Sequence, residues 1–206
     1  MAGLKQRFFA WMMANAADNY EAAIAPRKTK LFEDLSGRVL ELGPGAGPNL
    51  RYFDSNVDYV GIEPNVYMQP YLNQEAESRQ INISVQQQTL ENAGIADESF
   101  DFVVSTLVLC SVPNLEETLA QIYRVLKPGG KFLFIEHVAA PDGSLLRQVQ
   151  DGVRPIWQWI GDGCQSNRDT GTALQEVGFS HLDYDSFDGP IPIAIVRPHI
   201  AGVATK

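Results

Sequence analysis

The stretch RVLELGPGAG, at residues 38–47, decides the fold. Its first five residues include a short apolar run, which is typical of a strand buried within a sheet. Three glycines follow within five residues, at 43, 45 and 47. Glycine lets the backbone turn sharply and lets a ligand approach where a Cβ atom would collide. A helix is expected after this loop, so the stretch indicates a strand–loop–helix unit with a ligand at the loop.

Strand and helix patterns alternate along the rest of the chain. They predict strands at 59–64, 81–87 and 131–138, and a further strand at the start of 100–109. They predict helices at 4–16, 18–34 (broken or kinked near Pro26), 115–126 and 169–177. Alternating strands and helices favour parallel βαβ units with helices on both faces of one sheet. The ligand of such a sheet lies beyond the carboxyl ends of its strands, where the strand order reverses. A length of 206 residues fits one domain, at 1–206.

Composition narrows the classes of partner. The formal net charge is −9, which disfavours binding to nucleic acids or to anionic membranes. Cys110 and Cys164 are the two cysteines, and they form neither a CxxC motif nor a disulfide framework, which suits a reducing cytosol and predicts a cytoplasmic protein. The histidines at 137, 181 and 199 are scattered along the chain and do not supply a zinc site, so no metal is predicted.

The N-terminal segment contains an apolar stretch at 8–17 that is too short to span a bilayer. Phe8, Trp11, Met12 and Asn15 fall on one face of the predicted helix. This pattern indicates an amphipathic helix whose apolar face packs on the domain or over its ligand. An interfacial membrane helix is the alternative.

Two carboxylates flank the glycine loop. Glu41 precedes it, and the loop has the spacing GxGxG instead of the dinucleotide pattern GxGxxG. A pyrophosphate binds a bare helix N-terminus, whereas the zwitterionic end of an amino acid also needs a carboxylate for its ammonium group. Glu63 ends the next strand, 20 residues after Gly43, and suits hydrogen bonding to two ribose hydroxyls.

Five segments now carry a resemblance. In this order along the chain they are VLELGPGAG (39–47), GIEPN (61–65), SFDFVVSTLVL (99–109), RVLKPGG (124–130) and FLFIEHV (132–138). Together they resemble the ordered motifs of class I S-adenosylmethionine-dependent methyltransferases. The resemblance implies a Rossmann-like α/β sheet of seven mostly parallel strands, the last antiparallel, and S-adenosylmethionine as the cofactor. The chain is more closely similar to the methyltransferase-like thiol methyltransferases, through EHVA (136–139), GDGC (161–164) followed by Arg168, and VRPHIAG (196–202).

The resemblance also implies roles for individual residues. The methionine part of the cofactor would be held by Glu41, Gly43 and Gly45, with Gly47 in the same loop. Glu63 would bind the ribose, Pro64 or Asn65 would line the adenine, and Thr89 and Leu90 would lie at the adenine amine. Thr106 and Leu107 would face the sulfonium and methyl groups. Thr89 departs from the aspartate common in the family. Helices within 1–35 would cover the cofactor site, and a helical insert at 140–170 would face the acceptor pocket. The animal members carry a hydrophobic membrane anchor, which the shorter segment here does not match.

Methyl transfer from a sulfonium mainly requires alignment of the nucleophile in a dry pocket. A thiol acceptor needs only a means of favouring its thiolate, because the thiolate is a good nucleophile. His137, just past the fifth strand, is the candidate base or acceptor-orienting group, and its alternative is a packing role. Asp162 and Arg168 are candidates for the acceptor pocket, or for an ion pair with each other. Cys110 is expected to be a core residue.

Several functions remain open on the sequence alone. The leading hypothesis is methylation of a small, fairly apolar thiol. O- or C-methylation of a quinol or phenol is the second hypothesis, and a cofactor-binding module or cyclase that does not methylate is the third. An NAD-dependent oxidoreductase fits the loop spacing less well. The apolar run after the fourth strand, Thr106-Leu107-Val108, disfavours a nucleic-acid acceptor. A protein acceptor and the oligomeric state stay open.

Overall fold

One mixed sheet of seven strands organises the chain. The structure is a computed structural model that describes residues 2–16 and 18–206. Its strands are β1 (Arg38–Leu42), β2 (Asp58–Ile62), β3 (Ile83–Gln86), β4 (Phe100–Thr106), β5 (Leu126–His137), β6 (His181–Asp188) and β7 (Pro198–Thr205). Its helices are α1 (Ala2–Ala16), α2 (Asp18–Phe32), α3 (Gln69–Arg79), α4 (Leu115–Val125), α5 (Leu145–Ile160) and α6 (Thr170–Glu176).

The strand order is β3-β2-β1-β4-β5-β7-β6. Strands β1 to β5 pair in parallel, and β7 runs antiparallel to both β5 and β6. The predicted fold class is therefore confirmed, including the antiparallel last strand. The strand order reverses between β1 and β4, so the carboxyl ends of these two strands mark the expected ligand position.

Alternate side chains of β1 enter two different cores, as a strand covered on both faces requires. Val39 packs with Phe32 of α2 and Leu72 of α3 on one face. Leu40 packs with Leu119 of α4 on the other. Each of these side chains is almost completely buried, and burial of a leucine or phenylalanine contributes about 1.5–3 kcal/mol. The two cores pack both faces of the sheet against its helices and fix the positions of β1 and β4.

Three predicted elements differ from the structure. The helix expected after the glycine loop is replaced by a single 3₁₀ turn at Leu50–Tyr52, because Gly47 precedes Pro48 and has φ +85°, outside the helical region. Strand β5 begins at Leu126 instead of residue 131, with an irregular register opposite Phe100 and Phe102. Helix α2 continues through Pro26, so of the predicted break or kink the break is wrong and the kink stays a prediction.

Helix α1 turns an unexpected face toward the domain. Phe8 and Trp11 are 62% and 54% exposed, so the prediction that their face packs on the domain is wrong. The buried side chain is that of Ala10, and its small size lets the helix approach closely, with Phe9 and Met13 lining the cavity below. Within 2–16 and 18–206, we find no helix that combines the length and the apolar character needed to cross a bilayer.

Candidate active site

A cavity of about 560 Å³ lies at the carboxyl ends of β1, β2 and β4, below α1. This volume is in the range of small-molecule sites. Its wall includes many of the predicted site residues: Gly43, Gly45, Glu63, Pro64, Asn65, Thr89, Leu90, Thr106, Leu107 and Asp162. Among the described residues, the wall does not include Glu41, Gly47, His137 or Arg168. The structure therefore brings together, around one cavity, the residues predicted for the ribose, adenine and sulfonium. The other four predicted site residues lie outside the cavity wall.

The glycines of the loop serve different purposes. Gly43 has φ +54°, and a Cβ atom there would lie 2.6 Å from the side chain of Val108. Gly45 has φ +57°, and the nearest atom to its added Cβ would be 4.0 Å away, so it opens the wall to a ligand. Gly47 has φ +85°, and a Cβ there would lie 2.9 Å from Leu72 in the core. The predicted ligand contact of Gly47 is thus replaced by a packing role, because this residue faces α3.

Glu63 is held rigidly at the cavity wall. Its Oε2 accepts a hydrogen bond from the Gly45 amide at 3.0 Å, and its Oε1 accepts one from the Asn65 amide at 2.8 Å. Burial raises the pKa of Glu63, and the two amides oppose that rise. Each carboxylate oxygen keeps a further lone pair, so the side chain presents two fixed acceptors side by side. Two neighbouring hydroxyls are the ligand groups that this arrangement fits.

Glu41 lies behind the loop instead of in the wall. Its Oε1 accepts from Asn49 Nδ2 at 2.7 Å, and its Oε2 accepts from the Tyr59 hydroxyl at 2.7 Å. The structure thus places Glu41 outside the wall, because β1 turns this side chain toward β2, and its direct contact with the ligand stays a prediction. Asn49, which the sequence analysis missed, lines the cavity. Its Nδ2 also donates to Thr106 Oγ1 at 3.1 Å, while its buried Oδ1 has no partner among the described residues.

Helix α2 brings two further residues that the sequence analysis missed. Tyr20 and Glu21 line the cavity. Glu21 accepts from the Lys28 ammonium at 2.8 and 2.7 Å, and both side chains are buried. Burial lowers the pKa of Lys28, and the Glu21 carboxylate opposes that change. The Tyr20 hydroxyl is buried without a partner in the described part of the chain, and burial raises its pKa. No local pattern marks these residues, because only the docking of α2 brings them to the site.

Glu136, next to the end of β5, holds the loop that follows β4. Its carboxylate accepts from the Ser105 hydroxyl and from the amides of Val108 and Leu109, at 3.2 and 3.1 Å. Burial raises the pKa of Glu136 to about 7. Leu107 lies within this loop at φ +58°, a conformation that costs a non-glycine residue about 1–2 kcal/mol. Glu136 is therefore the positioning residue that keeps Leu107 in the cavity wall.

Asp162 and Arg168 do not pair with each other. Asp162 lines the cavity and forms an ion pair with Lys5 of α1 at 3.5 Å. Arg168 donates to the carbonyl oxygens of Leu109 and Val112 at 2.6 and 2.7 Å. The predicted mutual ion pair is thus wrong, because the guanidinium reaches toward the loop after β4. Arg168 shapes the cavity wall from behind.

His137 is 4% exposed and lies behind the wall, with Nε2 3.1 Å from Cys164 Sγ. Cys110 is buried as expected, and its Sγ lies in the same cluster. The neighbouring Cys110 and burial together raise the pKa of Cys164. Spacing along the sequence does not reveal this cluster, because only the folded chain brings together β4, β5 and the segment after α5.

A second, more open groove of about 850 Å³ lies between α2 and the β6–β7 end of the sheet. Acidic and basic side chains of both elements line it, for example Arg27, Lys30, Asp183 and Asp185. Arg27 is paired with Asp185 at 2.7 Å. Within the described chain, this groove contains none of the predicted site residues, so the cavity at the glycine loop is the candidate active site.

The comparisons with known proteins agree with this geometry. Residues 40–134 match a family model described as a methyltransferase domain. Thiol S-methyltransferase TMT1A of Homo sapiens is 34% identical over 215 residues, which cover 98% of this chain and 87% of that protein. Two solved structures are similar in fold. One is the [4+2]-cyclase SpnF, with a TM-score of 0.69 at 20% identity; the match covers 88% of this chain and 80% of that one. The other is an S-adenosylmethionine-dependent methyltransferase of Thermotoga maritima, described as a possible histamine N-methyltransferase, with a TM-score of 0.61 at 18% identity. This match covers 95% of this chain and 98% of that one.

At such low identity, the two structural likenesses show the fold alone. The relative from Homo sapiens is more informative, because its similarity extends over nearly the full length of both chains. The predicted resemblance is confirmed, and S-adenosylmethionine is the cofactor. The chain belongs to the thiol S-methyltransferase family of S-adenosylmethionine-dependent methyltransferases.

Proposed function

We propose that this methyltransferase transfers the methyl group of S-adenosylmethionine to a small, fairly apolar thiol. The observation that carries the proposal is the 34% identity to a thiol S-methyltransferase over 98% of the chain. The cavity supports it, because Phe9, Met13, Leu107 and Val112 supply apolar side chains to its wall. Such a wall favours an acceptor that leaves water easily.

The residues of the cavity fit the cofactor. S-adenosylmethionine, when bound, supplies an electrophilic methyl group on a positively charged sulfur. Glu63 would accept hydrogen bonds from the two ribose hydroxyls through its two fixed oxygens. The buried Asn49 Oδ1, which has no partner among the described residues, would accept from the ammonium group. Gly45 would leave room for the methionine part beside the loop. These contacts orient the cofactor at both ends.

The acceptor thiol needs little help with its proton. A free thiol is a few per cent ionised at neutral pH, and its thiolate is a strong nucleophile. The thiolate and the sulfonium attract each other, and this attraction strengthens where α1 and the Leu107 loop exclude water. His137, set behind the wall, is therefore proposed to support the wall instead of removing the proton. The rate should rise with pH as the acceptor ionises.

We also propose that the acceptor is a small molecule and not a nucleic acid. The net charge of −9 repels phosphates. Thr106, Leu107 and Val108 lie in the wall, and the last two offer no side-chain hydrogen bonds for reading a base edge. The acceptor atom itself is the point that experiment must decide, because the same fold accommodates different reactions.

The test is a product assay with matched acceptors. Purified protein would be incubated with S-adenosylmethionine and either an alkyl or aryl thiol or the alcohol or phenol of the same shape. Formation of S-adenosylhomocysteine together with the S-methyl product, detected by mass spectrometry, is expected for the thiols. Glu63→Gln should weaken turnover, while Glu77→Gln, on the exposed side of α3, serves as the matched control. Turnover of phenols alone would assign O-methylation, and cofactor binding without any product would assign a non-methylating module.

A further inference from the structure

Three metal-ligating side chains from separate segments meet behind the cavity wall. Cys110 follows β4, His137 ends β5, and Cys164 follows α5. Their ligand atoms all lie within 4.8 Å of one another. The three residues are 2%, 4% and 8% exposed, so solvent does not satisfy their polar atoms. Two sulfurs and one imidazole nitrogen are the donor set that soft or borderline cations prefer.

Hydrogen bonds within the protein satisfy this cluster incompletely. The indole N–H of Trp157 donates to Cys164 Sγ at 3.1 Å, so this sulfur is an acceptor there. Cys110 Sγ lies 3.7 Å from Leu107 O and 3.4 Å from Ser111 Oγ, which are weak hydrogen bonds because sulfur is a weak donor and acceptor. His137 Nε2 contacts Cys164 Sγ at 3.1 Å, while the other ring nitrogen, Nδ1, is buried without a partner in the described part of the chain. Buried nitrogens without a partner are uncommon, so hydrogen bonding around this histidine is incomplete.

We propose that Cys110, His137 and Cys164 bind a Zn²⁺ ion. Two thiolates and one neutral imidazole give the bound ion a net charge of zero, which a buried site tolerates. The hard cations Mg²⁺ and Ca²⁺ prefer oxygen ligands and do not fit. Zn–S bonds of about 2.3 Å in a tetrahedral arrangement place two sulfurs about 3.8 Å apart. Adjustments of about 1 Å in the present side chains would therefore complete the ligation.

The ion would tie together the segments that build the cavity wall. Ser111 lies in the wall, and its Oγ is 3.4 Å from Cys110 Sγ, so the proposed site lies directly behind the cavity. The backbone already links the two sides, since the Gln165 amide donates to the Cys110 carbonyl at 2.9 Å. Binding would release the two thiol protons to solvent as the thiolates form. This inference concerns a separate ligand and stands whether or not the methyl acceptor is a thiol.

The unmodified chain provides the first test. Full-length protein without a histidine tag would be freed of metal, kept reduced and titrated with Co²⁺ as a spectroscopic substitute for Zn²⁺. We expect a thiolate-to-cobalt absorption band in the near ultraviolet and visible bands of tetrahedral cobalt, both saturating at one ion per chain. Because Cys110 and Cys164 are the two cysteines of the chain, such a band shows that at least one of them binds the ion, without any substitution. Added Zn²⁺ should abolish both bands, and failure to form the thiolate band would overturn the proposal.

Variants provide the second test. Cys164→Ser and Cys110→Ser should each weaken Zn²⁺ binding more than about 100-fold, since removal of a supporting group alone costs about 10–100-fold. His181→Gln, at the exposed start of β6, is the matched control and should bind as the unmodified chain does. Unchanged affinity in the cysteine variants would refute the site. Binding of Cu⁺ without binding of Zn²⁺ would refute the choice of ion. If the variants fail to fold, the cobalt spectrum of the unmodified chain decides.

Discussion

Glu136 makes the stability of this protein depend on pH in a way that one substitution can isolate. Its carboxyl group is completely buried, and burial raises its pKa from 4.5 to about 7. Between these two values the folded state binds more protons than the unfolded state. The contribution of a group with a raised pKa is fully present below the unfolded value and is lost as the pH rises through the folded value. Glu136 should therefore destabilise the fold progressively as the pH rises from about 4.5 to about 7.

The magnitude follows from the size of the shift. A rise from 4.5 to about 7 corresponds to about 3 kcal/mol, at about 1.4 kcal/mol for each pKa unit. Glu136→Gln removes the ionisable group and keeps an acceptor oxygen for the Ser105 hydroxyl and the Val108 amide. The Leu109 amide loses its acceptor, and this cost does not depend on pH. The unfolding free energy of the parent, minus that of the variant, should accordingly fall by about 3 kcal/mol between pH 4.5 and pH 8.

Urea unfolding at several pH values in this range, followed by circular dichroism, measures the difference. Other shifted groups, such as His199, whose pKa burial lowers to about 4, titrate in both proteins and largely cancel. Glu77→Gln, on the exposed side of α3, should give a difference that does not change with pH. If the difference between parent and Glu136→Gln stays flat or grows with pH, the pKa of Glu136 is not raised by burial.

Three further predictions concern the cavity and its cover. Glu63→Ala should weaken cofactor binding by about 1.5–3 kcal/mol through loss of charge-assisted contacts; calorimetry that finds unchanged affinity would mean that the ribose lies elsewhere. Arg168→Met leaves the Leu109 and Val112 carbonyls without their donor, so it should lower the unfolding free energy by about 2 kcal/mol. It should also raise KM for the acceptor more than KM for the cofactor, and equal increases in the two KM values would contradict a role in shaping the acceptor side. Phe8→Ser combined with Trp11→Ser should change the unfolding free energy by less than about 0.5 kcal/mol, since both side chains are exposed; a loss above about 1 kcal/mol in urea unfolding would show that they pack.

The sequence predicted those parts of the fold that local patterns determine. The buried run of β1, the glycine loop and the acid at the end of β2 lie close together in the sequence, and parallel pairing of β1 with β2 then brings Glu63 to Gly45. The antiparallel last strand was expected from the family resemblance, because nothing in the residues of β7 itself specifies its direction. The wall of the cofactor cavity could be predicted for the same reasons.

The remaining parts depend on contacts between distant segments. The orientation of α1 follows from the close fit of Ala10, which periodicity of large apolar residues does not reveal. Tyr20 reaches the cavity only through the docking of α2, and Arg168 reaches the loop after β4 across 56–59 residues of sequence. Glu41 was predicted to touch the ligand because it precedes the loop, but its strand register turns it toward Tyr59. Side-chain direction at a strand end is therefore the information that spacing alone lacks.

The loop chemistry explains why the site suits an amino-acid ligand better than a pyrophosphate. A dinucleotide loop offers free backbone amides at the start of a helix. Here the described chain between β1 and β2 forms only the 3₁₀ turn at Leu50–Tyr52, and the Gly45 amide already donates to Glu63. The buried Asn49 Oδ1 instead requires a donor, and an ammonium group is a donor whereas a phosphate oxygen is not. A pyrophosphate would need the Gly45 amide, which already donates to the negatively charged Glu63 carboxylate. The groups that remain free to form hydrogen bonds therefore favour a cofactor with an amino-acid end over a dinucleotide.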